Sequence, residues 1–232
     1  MTTNHFINQL GVATDFTSRQ SRFDSLSILS RQSVLAILLL CLTLGVGRAW
    51  STELTAYTLT PASGSNNSYA GHCDIDIVDD VADKTITWYL EGNSQQQPWR
   101  IGVAKKTAAG STTRSLYSKN AISENITKVI VTHGAKSGMT AVTLTLNVYS
   151  TAAKAETGGT GDISSVSVTY ADNTTMTFNR PEGHNWAGKY FRFDYGLTWT
   201  KNNNDPQFIR FSSAVFKYNS CTALASINGS FF

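Results

Sequence analysis

The chain has 232 residues, 41% of them hydrophobic and only 15% charged, which excludes a disordered chain of high net charge. Its formal charge of +3 comes from 19 basic and 16 acidic residues with no basic run among them, so a row of phosphates has no counterpart and nucleic acid is excluded as a partner. Four prolines and 17 glycines in a threonine-rich chain suit a β-rich globular domain large enough to bury a core.

The first element in chain order is an uncharged apolar run, Ser33 to Gly47, which follows Arg31. At about fifteen residues it is shorter than the ~20 a bilayer span needs. Small residues at Gly47, Ala49 and Ser51 then supply the spacing a signal peptidase reads. The expectation is a signal peptide over residues 1–51, with an unusually long segment ahead of the apolar run; the alternative is an uncleaved anchor. Cleavage there leaves 15 basic and 14 acidic residues, a nearly neutral chain that is secreted or held at the cell surface, with no other membrane contact expected. Export also gives Cys73 and Cys221 an oxidising compartment in which a disulfide closes a long loop. Cys73 alternates with Ile75 and Ile77, so a small core residue is the other reading.

After Ser51, apolar residues recur at period two and no stretch sustains helical spacing. Strands are predicted at Leu54–Thr60, His72–Val78, Thr85–Leu90, Trp99–Ala104, Ile126–His133, Ala141–Tyr149, Ile163–Tyr170, Thr175–Asn179, Tyr190–Trp199 and Gln207–Tyr218. Ala141–Tyr149 sets Val142, Leu144, Leu146 and Val148 against Thr143, Thr145 and Asn147; Thr85–Leu90 sets Ile86, Trp88 and Leu90 against Thr85, Thr87 and Tyr89. Turn chemistry separates them, as at Glu91-Gly92-Asn93-Ser94, Gly158-Gly159-Thr160-Gly161 and Ala171-Asp172-Asn173. About ten short strands, each with one apolar face and one threonine-rich face, predict an all-β chain: a two-sheet antiparallel sandwich over 52–220, followed by a tail over 221–232.

Several strings carry a resemblance: Ile86-Thr87-Trp88, Pro98-Trp99-Arg100-Ile101-Gly102, Asn125-Ile126-Thr127-Lys128-Val129, Arg180-Pro181-Glu182-Gly183 and Phe208-Ile209-Arg210-Phe211. Over residues 54–218 the chain resembles a group of uncharacterised β-sandwich domains in exported proteins of Bacteroidetes-type bacteria. That group is similar to the jelly-roll sandwiches of galactose-binding-like and carbohydrate-binding modules. The resemblance implies a jelly-roll-like sandwich in an exported, carbohydrate-related setting, and it carries over no activity.

The residues point away from catalysis. Four scattered histidines, and the lack of His-Glu-x-x-His, Cys-x-x-Cys, Gly-x-Ser-x-Gly or a phosphate-binding glycine loop, give no catalytic or metal set, and no cofactor is expected. Asp74 and Asp76 share a strand face, but nothing around them in the sequence would raise a carboxyl pKa as glycoside hydrolysis requires. The run Asp74, Asp76, Asp79, Asp80, Asp83 reads as a solvated strand face and an acidic turn; its spacings match no recognised calcium loop, and a calcium site on these carboxylates is the alternative. Carbohydrate-binding modules stack sugars on exposed aromatics, which directs attention to the tryptophans. Trp88, Trp99 and Trp199 are in phase with core residues; Trp186, in the loop Gly183-His184-Asn185-Trp186, is the candidate platform, with Arg100 and Tyr69 as polar and aromatic companions, and a loop tryptophan that caps the end of the sandwich is the other reading. The function expected is a non-catalytic, exported glycan-binding module. The alternative is a protein-interaction or adhesin-like domain whose partner is a surface protein.

Overall fold

A computed structural model describes residues 51–62, 72–94, 98–104, 108–200 and 205–221. The expected signal segment, Tyr69 and the C-terminal tail lie outside them. Two antiparallel sheets face each other. The first contains β1 (Ser51–Leu59), β4 (Asn93–Ser94), β5 (Trp99–Val103), β7 (Ile126–His133), β10 (Thr175–Asn179) and β12 (Gln207–Cys221), in the order β10-β7-β12-β5-β4 with β1 also on β12. The second contains β2 (His72–Asp79), β3 (Lys84–Glu91), β6 (Gly110–Ser118), β8 (Met139–Tyr149), β9 (Ser164–Thr169) and β11 (Tyr190–Trp199), in the order β2-β3-β6-β11-β8-β9. The all-β sandwich expected from the alternation is the fold observed.

The core is the set of apolar faces read from the sequence, brought together from both sheets. Trp88 of β3 lies 6.2 Å from Phe193 of β11 and, across the sandwich, 6.0 Å from Phe216 of β12. Burial of the aromatic rings removes the largest apolar areas in the chain from water and dominates the folding free energy. Three indoles of the core each find an acceptor: Trp88 Nε1 donates to Tyr57 Oη at 3.1 Å, Trp99 Nε1 to the Ala62 carbonyl at 3.2 Å, and Trp199 Nε1 to the Ala108 carbonyl at 3.0 Å. Tyr57 in turn donates to the Ile77 carbonyl at 3.1 Å, so a hydrogen-bonded chain passes from one sheet to the other.

Three elements differ from the expectation. β4 is a two-residue strand paired with β5 where Asn93-Ser94 is read as part of a turn, because two residues are too few to show a period. β6 lacks the alternation that marks a strand because its inward face carries Thr112, Arg114, Leu116 and Ser118; its pairing with both β3 and β11 makes it a strand all the same. A short helix, α1 (Ala152–Thr157), lies between β8 and β9. Thr151 caps its first turn by accepting from the Lys154 amide at 3.3 Å, and Gly158 ends it at φ +78°. A six-residue helix is too short to show a period in sequence, and its stability comes from what it packs on.

The acidic run has a structural use at one position. Asp79 is buried, and its carboxylate accepts from the Val81 and Ala82 amides at 3.0 Å each and from the Thr58 amide of β1. It closes the β2–β3 hairpin and ties that hairpin to β1. Among the described residues no helix is long and apolar enough to cross a membrane.

Candidate functional site: the outer face of the second sheet

The loop around Trp186 does not form the expected platform. Trp186 is fully buried, with its ring 5.8 Å from Phe191 and its Nε1 donating to Ser164 Oγ at 2.8 Å. The loop folds back over the end of the sandwich because Asn125 Oδ1 accepts the Trp186 backbone amide at 3.1 Å and a bond from the Arg180 guanidinium. A stacking platform needs a ring face open to solvent, and Trp186 has none. Arg100 lies on the outer face of the first sheet with its guanidinium over the Phe208 ring, far in the strand order from any loop around Trp186. The two residues therefore form no common site. Cys73 is half-buried opposite Leu90, while the side chain of Cys221 falls outside the described residues.

The outer face of the second sheet does gather chemistry. Register brings Asp74, Tyr89, Tyr117, Arg192 and Asn147 into one row across β2, β3, β6, β11 and β8. Tyr89 and Tyr117 stack at 4.7 Å between centroids, and His72, on the edge strand β2, stacks on Tyr89 at 5.5 Å. The result is a series of three rings running from the middle of the sheet to its edge. Tyr117 is buried, Tyr89 half-buried and His72 exposed, so the open end of the stack is at the edge. Lys119 reaches over Tyr89 with its Nζ 5.7 Å from the ring centroid and donates to Asp74 Oδ2 at 2.7 Å. This ion pair is largely solvated and adds little stability, so its significance is as polar groups displayed next to rings. Beside it Thr87 Oγ1 donates to Asp76 Oδ1 at 2.6 Å.

The inner end of the row is rigid. The Asp194 carboxylate accepts from Arg192 Nε at 2.7 Å, Ser115 Oγ at 2.8 Å and Asn147 Nδ2 at 2.7 Å. Arg192 also donates to the Ala155 and Glu156 carbonyls of α1, at 2.7 and 3.1 Å, and lies 5.3 Å over the Tyr117 ring. A Cβ at position 158 would sit 2.8 Å from the Arg192 guanidinium carbon, so glycine serves both the turn and this approach. Helix α1 is thus clamped over Tyr117 and Tyr149, forming a second, smaller aromatic cluster on the outside of the sandwich. Desolvation there pushes the Tyr117 hydroxyl up to about 12, and the Tyr89 hydroxyl is likewise raised by burial, so both stay protonated donors at neutral pH. Beside the helix a shallow recess of about 240 Å³ is lined by Tyr149, Lys154, Gly158 and Asp162. Lys154 donates to Asp162 Oδ2 at 2.6 Å, and this bond, with one from Ser150, holds the Asp162 carboxyl well below its usual range.

Sequence reasoning places Tyr89 on the polar side of its strand without drawing the consequence. An aromatic residue in phase with threonines is the signal that reveals it. Tyr117 and Arg192 carry no such signal, because their neighbourhood depends on β6 and α1.

No family model matches the chain, and no curated protein matches it. Among solved structures the chain is similar to the module TmCBM61 in complex with beta-1,4-galactotriose, at 9% identity and a TM-score of 0.33 over 70% of this chain and 99% of that one.

Proposed function

We propose that the chain is an exported, non-catalytic binding module, secreted or held at the cell surface, that takes a glycan on the outer face of its second sheet. The observation that supports this reading is the ring series Tyr117, Tyr89, His72, which ends at a sheet edge beside Asp74, Asp76 and Lys119. A sugar presents an apolar C–H face and a rim of hydroxyls. An open ring face with carboxylates and an ammonium alongside meets both. Tyr69, three residues before His72, remains a candidate for the same ligand, whereas Trp186 does not.

Titration calorimetry of the full chain against neutral oligosaccharides selected on a glycan array tests the site. His72→Ala and Tyr89→Ala are each expected to weaken binding at least about tenfold while the melting temperature moves by only a few degrees. Unchanged affinity in both variants overturns it. A second reading, docking of a surface protein, draws on Val78, at the far end of the same edge strand, and Val81, in the turn that follows it, which are 57% and 97% exposed. Under that reading no sugar binds and Val81→Asp abolishes partner binding.

A further inference from the structure

Across the sandwich, on the outer face of the first sheet, Arg210 of β12 stands directly opposite Arg100 of β5. Like charges in facing positions of an antiparallel pair repel each other, so such a pair needs a reason. Both guanidiniums lie over one ring, that of Phe208, at 4.9 and 5.7 Å from its centroid. Phe208 faces away from Ile209 and the inter-sheet core, and it is 6% exposed. The ring is a floor for the two cations, through cation–π attraction to both, and their stems in turn shield it from water.

Among the described residues the pair has no anion. Arg114 and Arg192 sit on the carboxylates of Glu91 and Asp194, and Arg180 on the amide of Asn125. Among the described residues no carboxylate comes within salt-bridge distance of Arg100 or Arg210. Asp172, on the turn after β9, is taken by Lys136 through both its ammonium, at 3.6 Å, and its backbone amide, at 3.1 Å. The framework under the pair is stiff. Gly134 donates to the Arg210 carbonyl at 2.8 Å, and a Cβ on Gly134 would already touch the Arg210 stem at 3.2 Å. Opposite Phe208, a Cβ on Gly102 would lie 2.1 Å from the Gln207 carbonyl oxygen, so the β5 backbone is held against β12 at this point.

We infer that Arg100 and Arg210 form an anion-binding site for the carboxylate or sulfate groups of an acidic polysaccharide. Two planar forks side by side match oxyanions that present two oxygens each. A peptide would ordinarily add a strand to open backbone groups, but β12 is paired on both sides here, and Arg100 of β5 is paired with both Arg210 and Ser94. Two charges fall short of the row that a nucleic acid backbone would call for. Recognition therefore rests on side chains alone, which suits a ligand whose acid groups project from a stiff chain. This site is independent of the ring series on the other sheet.

The test is affinity electrophoresis of the full chain through gels containing polygalacturonate, dextran sulfate, neutral galactan or polyglutamate. The expected result is retardation by one or both acidic polysaccharides, weakened at least about tenfold in Arg210→Gln and in Arg100→Gln and suppressed at high salt. Arg210 is exposed, so its variant is expected to keep the wild-type circular dichroism and melting temperature, and Arg100→Lys separates fork geometry from charge by retaining only part of the retardation. Equal retardation of wild type and both glutamine variants overturns the site. Retardation by polyglutamate alone overturns the polysaccharide class, and retardation by no polyanion overturns the inference altogether.

Discussion

The described residues form two aromatic clusters, and they are built by opposite means. Between the sheets, Trp88, Phe193, Phe211 and Phe216 pack as an apolar core whose polar atoms are few and mostly paired. Outside the second sheet, Tyr117 and Tyr149 pack under Ala155 of α1 together with an arginine, an aspartate, a serine and an asparagine. The first cluster is stabilised by removing apolar area from water, which is non-directional and tolerant of exact placement. The second depends on directed hydrogen bonds whose loss strands a charge in a half-buried place. A surface that presents rings and polar groups in fixed positions calls for the second kind of construction, and this is where the proposed glycan site begins.

The largest effect is expected where a loop residue belongs to the first kind of region. Trp186→Ala removes a fully buried indole and its bond to Ser164, at a cost of about 3–5 kcal/mol, read by urea denaturation. A loss under about 1 kcal/mol would return Trp186 to the surface and erase the contrast. Next comes acid sensitivity. His133 is buried with its Nε2 3.1 Å from Tyr195 Oη and its Nδ1 without a partner among the described residues, and desolvation lowers its pKa to about 3. Because the folded pKa lies below the unfolded value near 6.5, its contribution to stability is fully present above pH ~6.5 and is lost as the pH falls from there toward 3. Melting temperatures measured between about pH 7 and 4 are expected to fall more steeply in the wild type than in His133→Phe, even though that variant starts lower by leaving Tyr195 Oη unpaired.

Asp194→Ala probes the second region. It leaves Arg192 without its carboxylate and loosens α1, and a loss of about 2 kcal/mol is expected, with faster hydrogen exchange at Ala155 and Gly158. Unchanged exchange there would mean that the helix does not depend on the arginine clamp. The smallest effect on stability belongs to the ring series itself. Tyr89→Ala exchanges a half-buried ring on the solvent face and is expected to cost under about 1 kcal/mol while it removes the binding surface.

Each strand whose apolar residues alternate cleanly is legible in the amino-acid sequence, from Val142 to Val148 on β8 and from Phe191 to Trp199 on β11. A single face decides such a strand's fate, and hydrophobicity is written residue by residue. The tryptophans in phase with those faces, Trp88, Trp99 and Trp199, are legible for the same reason. Trp186 is legible only as a choice between a platform and a cap on the sandwich end, since a loop has no period to decide it; contacts that include Ser164, far away in sequence, make it the cap. Of the candidate sites, Tyr89 is visible as an aromatic among threonines, and Arg100 as a cation facing away from Trp99 and Ile101.

The sequence by itself determined the class of fold, because the two-residue period of the strand partitions apolar from polar side chains locally. Only the tertiary structure decided which polar faces meet. It set His72 and Tyr117 on either side of Tyr89, drew Arg192 under a helix with no period of its own, and put Arg210 opposite Arg100 from a distant part of the chain. Those juxtapositions follow from strand order and register, which are settled by the packing of the whole sandwich rather than by any one segment.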